Sequence, residues 1–330
     1  MKYKPLNILV TGGLGFIGTN FIEFFLEKYN DVSIINIDNQ TYAANKKLVN
    51  NKINYEFIKG DICDKNLVNL IIKNNKIDTI INFAAESHVD KSINNPRTFI
   101  ETNVLGTYSL LECAKSCWDL QSSSSKKKYR FHHISTDEVY GSLKIKDFKF
   151  KETNKYFPNS PYSASKAGSD HLVRAWHETY GLPITISNCS NNYGPYQHSE
   201  KFIPTIIDAC KNKKVIPIYG EGNNIRDWLH VYDHCKAIDL IIRSSEVGQT
   251  YNVGGNCELR NIDVATLICK FFNENFDTNF NHLDLVEHIE DRQGHDFRYA
   301  VDINNIQNDL GWSPSINFEE GIIETIKWYL

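Results

Sequence analysis

The sequence predicts an α/β fold in which a doubly wound parallel sheet carries a smaller, interleaved C-terminal lobe. Three observations support this prediction. In the first half of the chain, apolar β-type runs alternate with helical stretches, as expected for a parallel sheet covered by helices on both faces. A glycine-rich turn, TGGLGFIG, follows the first of these runs directly and opens the first helical stretch. Beyond about residue 190, the predicted strands and helices are shorter and are separated by glycine-rich turns such as YGEGNN and NVGGNC.

Length and composition indicate the broad class of the protein. The chain has 330 residues, enough for one large α/β domain with a lobe or for two domains. We predict that residues 1–190 form the sheet domain and that residues 191–330 mainly form the lobe, with some segments returning to the sheet. The hydrophobic content of 41% and the charged content of 23% are ordinary for a soluble globular protein. The net charge of −4, without a basic stripe, gives no attraction to nucleic acid.

Targeting signals and cysteine spacing indicate the compartment. The N-terminal run MKYKPLNILVTGG breaks at glycines and is too short for a signal peptide or a membrane span. The eight cysteines include no CxxC pair and no histidine at a zinc-ligand spacing, so we expect no metal site. Without an export signal, reduced thiols in a cytoplasmic protein are the expected state.

The individual elements follow from the pattern of apolar residues. Five runs are predicted as strands: LNILV, SIINI, YEFIKG, TIINFAA and YRFHHIS. Between them, FIEFFLEKY, NLVNLIIKNN and the segment Thr102–Trp118 are predicted as helices. The polar stretch Gln121–Arg130 is predicted as a mobile surface loop. A long helix is expected from Tyr162 to Tyr180, ended by Gly181 and Pro183, and PITISNCSNNYGPY adds a strand followed by a turn.

The glycine-rich turn carries the first functional signal. Gly12, Gly15 and Gly18 follow a GxxGxxG spacing, and Gly13, Gly15 and Gly18 also satisfy GxGxxG. Such glycines let the backbone turn tightly and approach a pyrophosphate, which sits on the amides at a helix N-terminus. Because a predicted strand precedes this turn and a predicted helix follows it, the pattern indicates a Rossmann-type dinucleotide site.

An acidic residue at the expected distance indicates which dinucleotide binds. Asp38 ends the run SIINID, twenty residues after Gly18. A carboxylate there accepts hydrogen bonds from the adenine ribose hydroxyls and repels a 2′-phosphate, so the predicted cofactor is NAD and not NADP. The alternative is that Asp38 only caps its strand. Asp61, in KGDI after the third strand, is a weaker candidate for a contact with adenine.

A tyrosine and a lysine in PYSASKAG form the second signal. Tyr162 and Lys166 are four residues apart on a predicted helix and share one face. A phenol with a pKa of about 10 is a poor base at neutral pH. A cation about 4 Å away at an effective dielectric of about 20 lowers that pKa by about three units. We therefore expect Lys166, together with the positive charge of a nicotinamide, to bring the pKa of Tyr162 toward neutrality. A YxxxK pattern alone is common by chance and gains weight from the glycine-rich turn.

Two adjacent carboxylates, Asp137 and Glu138, follow the apolar run FHHI in the stretch STDEVYG. A solvated loop would explain them without any chemistry. Neighbouring residues in an ideal strand face opposite sides of the sheet. Both acids can therefore serve one site only if the chain leaves the sheet at this point.

These motifs together resemble the extended short-chain dehydrogenase/reductase family, and within it the nucleotide-sugar 4,6-dehydratases. The likeness runs from Asn7 nearly to the C-terminus. It rests on TGGLGFIG, AAESHVD, STDEVYG, YSASK, NCSNNYGPYQ, IRDWLHVYDH and DRQGHDFRYAVD. Sister epimerases share the glycine-rich turn and YxxxK but lack an adjacent acid pair after the threonine.

The resemblance implies a three-step reaction: NAD oxidises C4 of a nucleotide-linked glucose, water leaves from C5 and C6, and the hydride returns to C6. The C4 ketone is needed because it acidifies C5. By resemblance, Tyr162 takes the proton of the 4-hydroxyl, and Thr136 hydrogen-bonds the same oxygen. Glu138 removes the C5 proton and Asp137 donates a proton to O6. Lys166 positions the nicotinamide ribose.

The resemblance also implies two sets of binding residues. The cofactor set is Gly12, Gly15, Phe16, Ile17, Gly18, Asp38, Asn39, Thr41, Asp61, Ile62, Ala84, Ala85, Thr102, Tyr162, Lys166 and Asn192. The substrate set is Ser87, Thr136, Asn191, Lys201, Arg226, Asn261, Arg292 and His295. Arginine suits a diphosphate because its planar fork matches phosphate oxygens. Gln293 departs from the family pattern, which usually has proline there, and His132 and His133 are interpreted as structural.

Several points stay open at this level. A thymidine nucleotide (dTDP-glucose) is favoured by resemblance, but UDP-glucose differs only by a methyl and a hydroxyl, and such differences contribute only about 1–3 kcal/mol. An epimerase or decarboxylase on the same scaffold is one alternative, and a non-catalytic NAD-sensing protein is another. Helices Thr102–Trp118 and Tyr162–Tyr180 carry apolar residues on more than one face, so a homodimer is expected. No membrane partner is expected.

Overall fold

The computed structural model describes residues 3–45, 53–276 and 279–330. The strands are β1 (Asn7–Thr11), β2 (Ser33–Asp38), β3 (Tyr55–Lys59), β4 (Thr79–Asn82), β5 (Arg130–Thr136), β6 (Ile184–Cys189), β7 (Asn191–Tyr193), β8 (Ile216–Tyr219), β9 (Ile225–His230), β10 (Thr250–Val253), β11 (Glu258–Arg260) and β12 (Val286–Ile289). The α-helices are α1 (Phe16–Lys28), α2 (Lys65–Asn74), α3 (Val89–Asn94), α4 (Pro96–Phe99), α5 (Thr107–Cys117), α6 (Ser123–Lys126), α7 (Pro161–Tyr180), α8 (Phe202–Asn212), α9 (Val231–Ser244), α10 (Asn261–Asn275), α11 (Asn304–Leu310) and α12 (Phe318–Tyr329). A π-helical segment spans Ile100–Gly106, and 3₁₀ turns span Asp137–Tyr140 and His282–Leu285.

Seven parallel strands form the central sheet in the order β10-β6-β5-β4-β1-β2-β3. This is the Rossmann strand order extended by β10, so the predicted doubly wound parallel sheet is confirmed. The order reverses between β1 and β4. The carboxyl ends of these two strands therefore open the crevice in which such sheets bind their ligands.

The strands read as continuous apolar runs because the sheet is covered on both faces. Leu9 of β1 packs in one core beside α2, α5 and α7, whereas Ile8 and Val10 pack in a second core beside α1 and α9. The same alternation places Ile80 of β4 in the first core and Ile81 in the second. Helix α9 and strand β10 belong to these layers although they lie beyond residue 190, so the two parts of the chain are interleaved.

The C-terminal lobe is built on two small sheets, β11-β9-β7 and β12-β8. Helices α8, α10 and α12 surround its core, where Ile206, Trp228 and Ile268 are buried. The expectation of shorter helices in this half was wrong, because α8, α9, α10 and α12 have 11 to 15 residues and α1 has 13. Each of these helices must cover a whole sheet or core face, which sets its length. The domain boundary near residue 190 stays a prediction.

Two local predictions need correction. The helix expected at Thr102–Trp118 begins earlier, with Pro96 in the first turn of α4, and passes through the π-helical segment before α5. Trp118 lies past the helix end, where its indole donates to Ile77 O at 2.8 Å. The stretch Gln121–Arg130, predicted as a loop, contains the helical turn α6. Its last residue, Arg130, begins β5 and is buried, and its Nε donates to Ile242 O at 3.3 Å.

Helix α7 carries the YxxxK pattern and matches its predicted bounds within one residue. Ser160 Oγ caps it by accepting from Ser163 N, and Ser163 Oγ accepts from Ser160 N, so two amides at the start of the helix are satisfied. Within the described ranges, no helix is both long and apolar enough to cross a membrane. All eight cysteines are free thiols.

Candidate active site

A cleft of about 540 Å³ opens at the carboxyl ends of the central strands. All members of the predicted cofactor set line it, and so do Thr136, Asp137 and Glu138. Three members of the predicted substrate set, Ser87, Asn191 and Lys201, line the same cleft in addition to Thr136. The fold therefore brings the glycine-rich turn, the acid pair and YxxxK to one place.

The glycine-rich turn has the shape that a pyrophosphate requires. Gly12 has a φ of +68°, and a Cβ at this position would lie 2.6 Å from the Ala84 Cα. Gly18 is equally close-packed, since its Cβ would lie 2.6 Å from Gly12 O. Gly15 precedes α1 with no side chain to cap the helix, and the first turn contains no acidic residue. The first-turn amides of α1 have no capping side chain and can accept an anion, so these residues fit a dinucleotide.

Asp38 is held at the edge of this turn. Its Oδ2 accepts from Leu14 N at 3.0 Å and its Oδ1 accepts from Gln40 N at 2.7 Å. Burial raises the pKa of the carboxyl, although both backbone hydrogen bonds oppose that shift. Each oxygen keeps a second lone pair, which suits two ribose hydroxyls. Asp61 faces the same region, where it accepts from Cys63 N and from Asn39 Nδ2.

We expect Asp38→Ala to narrow the preference for NAD over NADP. The change removes two acceptors for ribose hydroxyls and the negative charge that repels a 2′-phosphate. Hydrogen bonds to a charged group contribute about 1.5–3 kcal/mol, so affinity for NAD should fall by about tenfold to a hundredfold. Calorimetric titration of the cofactor-free protein with each dinucleotide measures this, with Asp61→Ala as a control of smaller expected effect. Equal affinity of the unmodified protein for NAD and NADP would contradict the assignment of Asp38.

The acid pair lies where β5 leaves the sheet. Thr136 ends the strand and accepts a hydrogen bond from Glu138 N at 3.3 Å, which starts the 3₁₀ turn Asp137–Tyr140. Because the backbone turns here, the alternation of a strand no longer applies to Asp137 and Glu138. Both carboxylates line the cleft, as the sequence required for a shared role.

The two acids differ in their surroundings. Burial raises the pKa of Asp137 well above its ordinary value, the Glu138 carboxylate raises it further, and Asp137 is only 1% exposed. Burial also raises the pKa of Glu138, but the Arg226 guanidinium opposes the shift, as do Lys201 and Arg292. Asp137 is thereby suited to hold a proton and Glu138 to give up its own. Such a separation is typical of paired catalytic acids and bases.

Without a cofactor, the surroundings of Tyr162 oppose the shift that is expected when a nicotinamide is bound. Burial raises the pKa of Tyr162 well above 10, and the Glu138 carboxylate adds to the shift, while a hydrogen bond with Thr136 opposes it. Lys166 does not offset these effects within the protein, since its Nζ donates to Ile134 O at 2.7 Å. Burial lowers the pKa of Lys166 itself. The protein's own groups therefore keep Tyr162 as a neutral phenol.

The remaining substrate candidates lie around Glu138 at the lobe. Arg226 Nη2 donates to His295 Nε2 at 3.0 Å, and His295 Nδ1 donates to Asp291 Oδ1 at 2.6 Å. Lys201 Nζ donates to Ser87 O at 2.8 Å, which joins two predicted contacts. Arg292 lies with its Nε 3.4 Å from Asp90 Oδ1.

Asn261, like Arg226, Arg292 and His295, is a predicted substrate contact that does not line the cleft. It opens α10, and its backbone N donates to Asn224 O at 3.0 Å.

Sequence reasoning missed several polar residues beside the acids. Tyr299 donates to Asp296, and the Arg226 guanidinium carbon lies 4.5 Å from the Tyr299 ring centroid. Asp296 and Tyr299 stand in the motif DRQGHDFRYAVD, so the motif was an available signal although neither of them was singled out. Asn103 holds the loop that carries Ser87, because its side chain exchanges hydrogen bonds with the Glu86 backbone at 2.9 and 3.0 Å. Nothing in the local sequence marks that contact.

Comparison with known proteins agrees with this geometry. A model of the GDP-mannose 4,6 dehydratase family matches residues 9–325. The chain is 49% identical over 332 residues to a dTDP-glucose 4,6-dehydratase of Haemophilus influenzae, with 98% of each chain covered. The structure of dTDP-glucose 4,6-dehydratase from Bacillus anthracis in complex with NAD superposes with a TM-score of 0.86 at 42% identity, covering 98% of this chain and 96% of that one. The enzyme of the same name from Streptomyces venezuelae, also solved with NAD bound, gives a TM-score of 0.89 at 40% identity, covering 98% and 97%. The chain therefore belongs to the family of the nucleotide-sugar 4,6-dehydratases.

Proposed function

We propose that this protein is an NAD-dependent hydro-lyase that converts dTDP-glucose into its 4-keto-6-deoxy sugar. The observation that carries the proposal is the single cleft that joins a dinucleotide turn to Thr136, Asp137, Glu138 and Tyr162. Relatives at 46–49% identity over nearly the whole chain carry the name dTDP-glucose 4,6-dehydratase. No other arrangement in the described part of the chain combines an oxidation site with a paired acid and base.

Oxidation at C4 is the first step. Bound NAD supplies a hydride acceptor and a positive charge at its nicotinamide. Tyr162 accepts the proton of the 4-hydroxyl while the Thr136 hydroxyl hydrogen-bonds the same oxygen. Because burial and Glu138 hold the pKa of Tyr162 high, Lys166 and the cofactor's charge must together stabilise the phenolate. The Lys166 ammonium donates one hydrogen bond to Ile134 O. Its other hydrogens would orient the nicotinamide ribose.

Elimination of water is the second step. Glu138 removes the C5 proton, which the neighbouring ketone has made acidic, and Asp137 donates a proton to the departing O6. The surroundings support this division, because Asp137 is buried and keeps its proton, whereas Glu138 faces Arg226, Lys201 and Arg292. Return of the hydride to C6 and of a proton to C5 completes the cycle.

Binding of the diphosphate falls to the lobe. Arg226 lies on β9, and Lys201 lies directly before α8. Arg292 contributes a further cation, with its guanidinium carbon 4.9 Å from the Tyr219 ring centroid. Planar guanidinium groups match phosphate oxygens, so Arg226 and Arg292 are the proposed diphosphate ligands.

The nucleotide base, the assembly and the compartment complete the proposal. The names of the relatives favour a thymidine nucleotide over a uridine one, and kcat/KM for dTDP-glucose against UDP-glucose tests this. A homodimer is proposed because Ile100 and Leu105 are 46% and 50% exposed beside α5 and Tyr180 is 44% exposed on α7. Sedimentation as a monomer would contradict that. We propose a cytoplasmic location, since all eight cysteines are free thiols.

The fate of one hydrogen tests the proposed reaction. We expect substrate with deuterium at C4 to give product with deuterium at C6 and a C5 hydrogen taken from solvent, without any added reductant. The reason is that the hydride moves from C4 to the cofactor and back to C6 of the same sugar. Mass spectrometry and NMR of the product locate both positions. Return of the label to C4 would indicate an epimerase, and loss of the label to free NADH would indicate an ordinary dehydrogenase.

A further inference from the structure

A buried imidazole contacts Lys166 from the central sheet. Tyr162, Lys166 and Asp170 follow one another at intervals of four residues on α7 and share one face of the helix. This face meets β5, where His133 is fully buried. His133 Nε2 lies 3.4 Å from Lys166 Nζ and 3.4 Å from Asp170 Oδ1. One ring nitrogen therefore lies beside both a cation and a carboxylate.

Hydrogen bonds on β1 and β4 determine which nitrogen of His133 carries its proton. Ala84 N donates to Thr11 Oγ1 at 3.3 Å, so the Thr11 hydroxyl donates to Asn82 Oδ1 at 2.6 Å. The NH₂ group of Asn82 then faces His133 Nδ1, which is 3.1 Å away. Nδ1 is the acceptor, and Nε2 carries the hydrogen, 3.4 Å from Asp170 Oδ1, a buried carboxylate oxygen that has no hydrogen bond among the described residues.

The charges of this cluster act on Lys166. Burial lowers the pKa of Lys166, and the Asp170 carboxylate opposes that shift. Burial and the Lys166 charge lower the pKa of His133 to about 4, so the imidazole is neutral at physiological pH. Asp170 is itself held in place, since its Oδ2 accepts from Ser135 Oγ at 2.8 Å and it is only 2% exposed. Among the described residues, the Cys189 thiol on β6 also opposes the lowering of the Lys166 pKa.

We propose that Asp170 and His133 are positioning residues: the Asp170 carboxylate keeps Lys166 charged at Ile134 O on β5, and His133 keeps that carboxylate in its place beside Lys166. This proposal rests on the function proposed above, because it concerns the cation that supports the Tyr162 phenolate. His133 separates the cation from the carboxylate by one hydrogen-bonding group, so the two attract without Lys166 being drawn into a direct ion pair. A lysine pulled onto Asp170 would be lost to the cofactor ribose.

His132 provides a matched comparison on the same strand. It is equally buried, but its ring nitrogens contact Thr185 Oγ1 at 2.9 Å and Ser187 Oγ at 3.2 Å. The structural role expected for both histidines therefore fits His132, whereas His133 has a neighbour in the proposed catalytic machinery.

The test is the pH dependence of bound-NADH formation in a single turnover with dTDP-glucose. Asp170→Asn keeps the shape of the side chain and removes its charge, so Lys166 should lose its proton more easily and Tyr162 should lose its supporting cation. We expect the acidic limb of the profile to move to higher pH by about one unit. At pH values below the limb, oxidation should then be about tenfold slower than in the unmodified protein, and at alkaline pH the two rates should be equal. His133→Leu should shift the limb similarly, and His133→Gln, which keeps an N–H for Asp170, should shift it less. His132→Gln should leave the limb where it is in the unmodified protein.

Other outcomes separate the explanations. A shift of the limb to lower pH in Asp170→Asn would mean that Asp170 acts only as a negative charge on Tyr162, and the proposal would fall. An unshifted limb, or a uniform loss of rate that His132→Gln shares, would show a structural role only and would also overturn it. If Asp170→Asn does not fold, the profiles of His133→Leu and His133→Gln decide the question. Absence of NADH formation in the unmodified protein would instead contradict the proposed function.

Discussion

Glu138→Gln is expected to slow formation of the 4-keto-6-deoxy sugar by about 10²- to 10⁴-fold, the usual contribution of a positioned general base. Glutamine keeps the shape of the side chain at the start of the 3₁₀ turn but cannot accept the C5 proton. The positive charges of Arg226, Lys201 and Arg292 would still act on this position. Oxidation at C4 does not need this base, so bound NADH should still form and should then accumulate.

Two measurements define this result. Absorbance of bound NADH reports oxidation, and exchange of the C5 hydrogen with deuterated solvent reports proton removal. In Glu138→Gln, formation of bound NADH should persist and exchange of the C5 hydrogen should stop. Asp137→Asn is the matched control, because it changes the adjacent acid isosterically: it should slow the loss of water while C5 exchange continues. Full dehydratase turnover in Glu138→Gln would show that another group is the base.

Tyr162→Phe is expected to slow C4 oxidation by about 10²- to 10⁴-fold and thereby every later step. Phenylalanine preserves the buried ring but offers no oxygen to take the proton of the 4-hydroxyl. Without a C4 ketone the C5 hydrogen stays unreactive, so both NADH formation and C5 exchange should be lost. This pattern differs from that of Glu138→Gln, in which oxidation continues. Because burial holds the pKa of Tyr162 above its ordinary value, the unmodified enzyme should oxidise faster as pH rises through the acidic limb.

The control for this change is Tyr140→Phe. Tyr140 is also buried, and its hydroxyl donates to Asn252 Oδ1 at 2.9 Å, outside the proposed machinery. The same hydroxyl accepts from Asn188 Nδ2 at 3.0 Å, so the change removes two hydrogen bonds. At about 0.5–1.5 kcal/mol each, stability should fall by about 1–3 kcal/mol, with little change in oxidation. Bound NADH at the unmodified rate in Tyr162→Phe would remove Tyr162 from its assigned role. An equal loss of the oxidation rate in Tyr162→Phe and Tyr140→Phe would indicate that the effect comes from changed packing.

Much of the fold and of the candidate site could be predicted because the relevant signals are local. The turn TGGLGFIG stands between a strand and a helix, and Asp38 ends the next strand, so spacing along the chain is enough to recognise them. The adjacency of Asp137 and Glu138 needs no knowledge of distant residues. The interval between Tyr162 and Lys166 places both on one helix face in any α-helix. These residues converge because the carboxyl ends of parallel strands share one edge of a sheet.

Errors arose where neighbours distant in sequence decide the outcome. We expected Lys166 and a bound nicotinamide to lower the pKa of Tyr162; spacing did not reveal that, in the protein alone, burial and the Glu138 carboxylate raise it and Lys166 is turned to Ile134 O. The Thr102–Trp118 helix has a different start because it continues α4 through a π-helical segment. His133 was interpreted as structural, which stays untested, and the local sequence does not show that its ring meets Lys166 and Asp170 from another element.

The sequence by itself determined the parallel α/β architecture, the dinucleotide turn and the identities of the acid pair and of YxxxK. Each depends on periodicity or on spacing within a few residues, which backbone geometry converts directly into position. The tertiary structure alone decided that Asp137 is buried while Glu138 faces Arg226, and that Arg226 meets His295. It also decided that Asp170 and His133 stand beside Lys166. A pKa and a hydrogen bond depend on burial and on charges brought together from separate elements, and no local pattern encodes those distances.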